Sequence, residues 1–324
     1  MRHEMRIHPP QRTGILDEMP NRRSKDVALH TGSKGLIYLI HGVTGTPAEM
    51  TFLAHRLARC GWDVYVPILP GHCQRLRNLI KTTEKEWREY IYTQIRFAKT
   101  HYDALFVVGL SVGALLALDL ASVIPVDGIG VLSPTLMYDG WNTPWSIKLL
   151  PWAMKLIPHQ LQHLFFHVDG PPYGIKDQQL QADISSVYRP QLIFKEWLHS
   201  IRPQKFIKDR QNDKHAQITN SAGNPIVPLI IFTQINTLIT NIRQSMNRIT
   251  APTIILQAKD DDMTSPRNAQ VVYDTIGSKL KQLVLLDDSY HVITVDRQKD
   301  LVVKYLDIFF AKSMALKLNL TPNL

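Results

Sequence analysis

Residues 105–113 read Leu-Phe-Val-Val-Gly-Leu-Ser-Val-Gly, and no other stretch constrains the fold as much. An apolar run of strand character ends on Ser111, and a helix pattern begins at once. A chain that turns from strand to helix within one residue forces that residue into a strained backbone conformation. Gly109 and Gly113, two positions before and after, let neighbouring chain pass close by. The hydroxyl then stands at a helix N-terminus, where developing negative charge is favoured. A serine N-cap between two packing glycines would look the same in isolation. The strand-to-helix context makes Ser111 a candidate nucleophile.

The surrounding chain repeats the alternation. Residues 35–41, 63–67, 105–110, 128–133, 253–257 and 282–286 are short apolar runs, each a candidate buried strand. Amphipathic patterns lie between them. Thr46, Pro47 and Glu49 suggest a capping box ahead of Met50, Leu53, Ala54, Leu57 and Ala58 on one helical face. Thr83 and Glu86 open another helix, with Trp87, Tyr90 and Ile91 on one face. Pro125 stops the helix after Ser111. A further helix opens at Ser265-Pro266, and the last runs over about residues 298–312. Strands apolar throughout, separated by helices, predict a mostly parallel sheet covered on both faces. Residues 1–34 are polar and proline-bearing and read as an arm. Residues 35–140 and 247–324 form the α/β core, and residues 141–246 break the rhythm as a cap insertion.

A serine hydroxyl needs an adjacent base. His291, just after the final strand in Asp287-Asp-Ser-Tyr-His291, is where this chain order expects one. The orienting acid should follow the penultimate strand, where Asp260, Asp261 and Asp262 are adjacent, and pattern alone leaves them open. An oxyanion hole needs two backbone N–H groups. Val112 supplies one, and Val43, after His41-Gly42, the other. His41 itself reads as a brace for that loop.

These residues resemble the small bacterial carboxylesterases and monoacylglycerol-lipase-like serine hydrolases of the α/β-hydrolase superfamily. The matching pieces are His41-Gly-Val-Thr-Gly-Thr46, Leu69-Pro-Gly-His72, Gly109-Leu-Ser-Val-Gly113, Gln257-Ala-Lys-Asp-Asp-Asp-Met263 and Ser289-Tyr-His-Val-Ile-Thr294, in family order. The resemblance implies an α/β-hydrolase fold with a helical cap. It also implies ester hydrolysis through an acyl-enzyme, with a Ser111–His291–Asp261 triad and Asp260 as the fallback acid. Cys73 departs from the family's usual Gly-His-Gly and is expected to narrow or redirect the loop near the acyl pocket. A serine-dependent acyltransferase or thioesterase would use the same triad, and a non-catalytic ligand-binding member would share the fold.

Trp141, Trp145, Trp152, Leu149, Leu150 and Leu156, with Lys148 and Lys155, form a tryptophan-rich stretch suited to a lid over an apolar ester or to a membrane interface. The expected substrate is therefore a small-molecule or lipid ester, with peripheral membrane contact a further expectation. His159, His163 and His167 recur every fourth residue, as polar-face residues of one helix rather than metal ligands. No P-loop, dinucleotide fingerprint or zinc motif is present, so no cofactor or metal is expected. The net charge of +9 is scattered and accompanied by no nucleic-acid motif. Two cysteines make no disulfide framework, and the charged N-terminus lacks an apolar secretory core; the expected location is cytoplasmic.

Overall fold

The computed structural model describes residues 14–32, 35–188, 190–201 and 223–319. Residues 1–13 of the expected arm and 202–222 of the expected insertion lie outside them. The strands are β1 (Val27–Leu29), β2 (Leu36–Ile40), β3 (Asp63–Val66), β4 (Leu105–Leu110), β5 (Gly128–Leu132), β6 (Phe166–Val168), β7 (Ile226–Pro228), β8 (Thr253–Ala258) and β9 (Lys281–Leu286). Seven of them form one sheet in the order β1-β3-β2-β4-β5-β8-β9, parallel throughout except for β1 against β3. The strands β6 and β7 pair separately and antiparallel.

The α-helices are α1 (Ala48–Arg59), α2 (Leu76–Lys81), α3 (Glu84–Lys99), α4 (Val112–Val123) and α5 (Leu150–Leu156). They continue with α6 (Gln178–Val187), α7 (Pro190–Ile201), α8 (Leu229–Ser245), α9 (Arg267–Thr275) and α10 (Lys299–Asn319). Alternate residues of the central strands face opposite layers, as the two-residue period of a strand requires. Leu36, Tyr38 and Ile40 of β2 pack with Trp87, Ile91 and Leu115, in the layer of α3, α4 and α8. Ile37 and Leu39 pack with Met50, Leu53 and Phe310, in the layer of α1 and α10. The helix α4 is buried at every position from Val112 to Leu120, which explains why its sequence shows no polar face.

The order of β3, β2 and β4 positions the site. The chain leaves β2 to one side for β3 and returns to the other side for β4. The two connections part above the carboxyl ends of β2 and β4, which opens a crevice there. The loop after β2 and the turn after β4 both face that crevice.

Two local expectations change. Residues 27–29, inside the presumed arm, add an antiparallel edge strand, with Val27 opposite Val66. Asp26 anchors it by accepting the Tyr65 O–H (2.7 Å) and the Ile68 N–H (2.7 Å). A three-residue strand carries too little periodicity to be read from sequence. The Thr83–Glu86 capping box forms as expected, but no capping box forms at Thr46. Thr46 Oγ1 accepts the Ala48 N–H (3.2 Å), and the Glu49 carboxylate turns to the Gly42 N–H (3.3 Å).

Phe106, the second residue of β4, stacks on Phe310 (centroids 4.5 Å apart) and meets Trp62 edge-on (5.3 Å). Phe106→Ala should cost about 3–5 kcal/mol, because the cavity between two large rings cannot collapse. Urea unfolding followed by tryptophan fluorescence measures this; a loss below about 1 kcal/mol would show that the rings do close over the gap.

Candidate active site

Ser111 sits at φ 58°, ψ −118°, between the last residue of β4 and the first of α4. Few L-residues tolerate this conformation. The two glycines make it possible by leaving room. A Cβ on Gly109 would lie 2.0 Å from the Gly113 oxygen, and one on Gly113 would lie 2.3 Å from the Ile40 oxygen. Gly113 thus lets the first turn of α4 press against the end of β2.

His291 lies on the loop that follows β9. The Ser111 O–H donates to His291 Nε2 at 2.9 Å, and His291 Nδ1–H donates to Asp261 Oδ2 at 2.9 Å. Asp261 also accepts the Met263 N–H (2.9 Å), the Thr264 N–H (2.8 Å) and the Gln257 side-chain amide (2.7 Å). These donors satisfy both oxygens of a fully buried side chain. Asp260 is turned outward instead, 3.2 Å from the Lys176 ammonium. Asp262 accepts the Gly174 N–H (3.1 Å) and reaches the backbone N–H of His291 (3.4 Å). Burial by itself would lower the His291 pKa, but the charge and hydrogen bond of Asp261, with Asp262 and Glu49 behind it, raise it above 6.5.

Val43 and Val112 line the same cavity as Ser111. Among the described residues, neither backbone N–H has a protein acceptor. The loop that carries Val43 is braced by two histidines. His41 Nδ1–H donates to the Gly42 oxygen (2.8 Å), and Nε2 accepts the Leu69 N–H (3.2 Å). His72 Nδ1–H donates to the Pro70 oxygen (2.9 Å), and Nε2 accepts the Thr44 N–H (3.3 Å). Burial pushes the two imidazoles down to about 3 and about 4, so both stay neutral and keep their acceptor nitrogens.

Two cavities flank the Ser111–His291 pair. One, of about 340 Å³, is lined by Val112, Tyr138, Ile147, Val227 and Phe232. The other, of about 300 Å³, has Ile175, Leu180 and Ile184 on its wall and Glu49, Tyr188 and Asn224 among its polar groups. Asp169 borders both. Burial pushes Glu49 up to about 7, against the pull of the Gly42 N–H. Burial and the neighbouring Asp262 push Asp169 to about 7 as well.

Three residues at the site were given no site role from sequence: Thr135, whose hydroxyl lies 3.0 Å from Ser111 Oγ, and the carboxyls of Glu49 and Asp169. Asp169 carries no local signal. Glu49 had one, but it was absorbed by the capping reading. Cys73 corrects the expectation for its loop. It lies at φ 54°, in the left-handed region that favours glycine, and borders a separate small cavity with Thr44, Gly71 and Leu79 rather than either cavity beside Ser111. His159 and His163 lie on a 3-10 turn and His167 in β6, so no single helix aligns the three.

Against known families, residues 31–298 match the family model described as serine aminopeptidase, S33. The chain belongs to this family. Relatives include the thermostable monoacylglycerol lipase of Bacillus sp. (strain H-257), 25% identical over 276 residues, or 85% of this chain and 90% of that protein. The carboxylesterase of Bacillus subtilis (strain 168) is 22% identical over 84% of this chain and 90% of its own length. Among solved structures, a lipolytic enzyme from the metagenome-derived LipS and LipT pair superposes with a TM-score of 0.65 at 24% identity, over 89% of this chain and 97% of its own. The monoacylglycerol lipase of Paleococcus ferrophilus does so with a TM-score of 0.63 at 17% identity, over 88% and 98%. The fold is that of an α/β-hydrolase. Among the described residues, no helix is long and apolar enough to cross a membrane.

The turn around Ser111 yields a stability test with an internal control. Gly113→Ala should cost about 1–3 kcal/mol, because its methyl meets backbone oxygens that cannot swing aside. Gly170→Ala, with open space around the new methyl, should stay within about 0.5 kcal/mol of the parent. Thermal unfolding of the two variants side by side decides this, and equal losses would sink the steric account.

Proposed function

We propose that this carboxylic ester hydrolase cleaves lipid-like esters, acylglycerols foremost, through an acyl-enzyme on Ser111. The observation that carries the reading is the unbroken hydrogen-bond chain from Asp261 through His291 to Ser111, opening onto two cavities. His291 Nε2 takes the Ser111 proton as Oγ attacks the ester carbonyl carbon. The carbonyl π pair moves onto oxygen, which receives the Val43 and Val112 N–H groups. When the carbonyl re-forms, the C–O bond to the alcohol breaks, and His291 Nε2–H protonates the departing oxygen. Water then attacks the acyl-enzyme with His291 again as base, and free acid leaves. Asp261 keeps the imidazole in the Nδ1–H tautomer and stabilises the imidazolium.

The two cavities can receive the two sides of an ester. The apolar side chains of Tyr138, Val227 and Phe232 in one suit an acyl chain. The one holding Glu49, Asp169 and Asn224 suits a polyhydroxylated alcohol, because carboxyls with pKa near 7 can accept or donate. The monoacylglycerol lipase and carboxylesterase relatives support the same substrate class.

A p-nitrophenyl ester series from acetate to palmitate should be hydrolysed by the wild type and not by Ser111→Ala. Asp261→Asn should lower kcat by about 10³–10⁴-fold, whereas Asp260→Asn should stay within about twofold, having lost only an exposed ion pair. Activity in Ser111→Ala, or a dead Asp260→Asn beside an active Asp261→Asn, would refute the assignment.

The base must be neutral to work, so activity falls as pH drops through the His291 pKa. Because that pKa is raised, the acid limb of kcat/KM should have its midpoint above 6.5. Asp262→Asn removes one of the charges that raise it and should move the midpoint down. A wild-type midpoint at or below 6.5, or one that Asp262→Asn leaves in place, counts against His291 as the titrating base.

A further inference from the structure

The exposed apolar surface of this chain is concentrated on the cap. Ten of the fifteen large hydrophobic side chains exposed among the described residues fall within residues 141–194. Trp145 is 75% exposed, Trp152 68% and Leu156 76%. A patch of this extent is uncommon on a protein that meets only water. The segments that carry it are joined to one another. Gln162 ties the 3-10 turn of residues 159–164 to α5 by donating to the Met154 and Ile157 oxygens (both 3.1 Å). Phe166 and Phe194 both contact the Trp197 ring, with centroids 5.4 and 5.8 Å away.

The helix α5 shows why the patch is not unfinished core. Its inner face already has a partner: Leu150 and Met154 pack against the core. Trp152 and Leu156 are left over on the outer face. Charge narrows what can cover them. Residues 140–168 contain no Asp or Glu, although the chain has 28, and they carry Lys148 and Lys155. Lys155, and Lys195 on α7, are exposed. A second copy of the chain docked face to face would set these lysines against their own kind. An anionic surface with an apolar interior suits both features, since tryptophan and leucine enter the headgroup boundary while lysine reaches phosphate. The same segment also reaches the active site, where Pro144 and Ile147 line the cavity of about 340 Å³ beside Ser111.

We propose that the cap face built from Trp145, Trp152, Leu156, Leu161, Phe165 and Phe194 docks on the surface of a bilayer containing anionic lipid. This deepens the lipid-ester reading and rests on it for its purpose, because an acyl chain could then enter the cavity from the membrane side without crossing water.

The test needs no turnover. The full chain is sedimented with sucrose-loaded vesicles of phosphatidylcholine alone and of phosphatidylcholine mixed with phosphatidylglycerol. It should pellet with the mixed vesicles and bind much less to the neutral ones. The double variant Trp145→Ser, Trp152→Ser should bind at least about tenfold more weakly, a loss of about 1.4 kcal/mol. Both side chains are exposed and line neither cavity, so hydrolysis of p-nitrophenyl acetate should be unchanged. Ser111→Ala should bind vesicles as the wild type does, so failure of the hydrolase reading and failure of this one are separable. Wild type remaining in the supernatant with both vesicles would overturn the proposal, as would a double variant that binds equally well. A wild-type dimer on gel filtration that the double variant dissolves, without vesicle binding, would assign the face to a second copy instead.

Discussion

Gly113 has no side chain because the carbonyl oxygens of Ile40 and His41 occupy the space one would need. That contact joins three things that sequence keeps far apart: the end of β2, the start of α4 and the turn at Ser111. With it, the first turn of α4 seats directly beneath the loop that carries Val43. Without it, α4 would stand off the sheet, and the N–H groups of Val43 and Val112 would no longer share a cavity. The strain at Ser111 is held by the same arrangement. Its backbone is clamped by the Ser111 N–H to Leu132 oxygen bond (2.9 Å) before the chain and by the fully buried α4 after it. The left-handed conformation persists because its surroundings leave no alternative, as stored strain requires.

The imidazole is positioned by a second set of constraints, independent of the first. His291 sits on a loop without regular structure, yet its chain neighbours are fixed. The Tyr290 N–H bonds to Asp296 (2.7 Å), and the Val292 N–H bonds to the Gly174 oxygen (2.7 Å). Gly174 belongs to the segment between β5 and β8, so that segment braces the histidine loop as well as lining the cavities. Asp262 completes that junction by bonding Gly174 and His291 together. The three adjacent aspartates thus divide three tasks by direction alone: one toward the imidazole, one toward the cap and one toward solvent.

That division marks the limit of what the sequence could say. The central strands are legible because both faces of the sheet are covered, which leaves uninterrupted apolar runs such as residues 105–110. The turn at Ser111 is legible because only glycine fits at positions 109 and 113. Choosing among Asp260, Asp261 and Asp262 depends on backbone direction at the end of β8, which no local pattern encodes; family spacing supplied it. Glu49 was misread for a physical reason. Thr46 and Glu49 have capping-box spacing, but the box competes with the Gly42 N–H, a tertiary donor brought near by the loop after β2. A carboxylate that can reach a donor in a half-closed cavity gains more there than at an exposed helix end. Thr135 and Asp169 come from loops whose positions are set by the sheet order and the cap, so their nearness to Ser111 is a property of the assembled fold.

The carboxyls around the imidazole also bear on how the two cavities work. Glu49, Asp169 and Asp262 all have raised pKa values, with burial as the largest cause, whereas Asp261 is held by four donor atoms: two backbone N–H groups, the Gln257 amide and the Thr264 hydroxyl. Environment therefore separates chemically identical groups: burial pushes Glu49 and Asp169 to about 7 and raises Asp262, while the oxygens of Asp261 are taken up by donors. Protonating Glu49 removes one of the charges that raise the His291 pKa, so the two groups are electrostatically linked across the site.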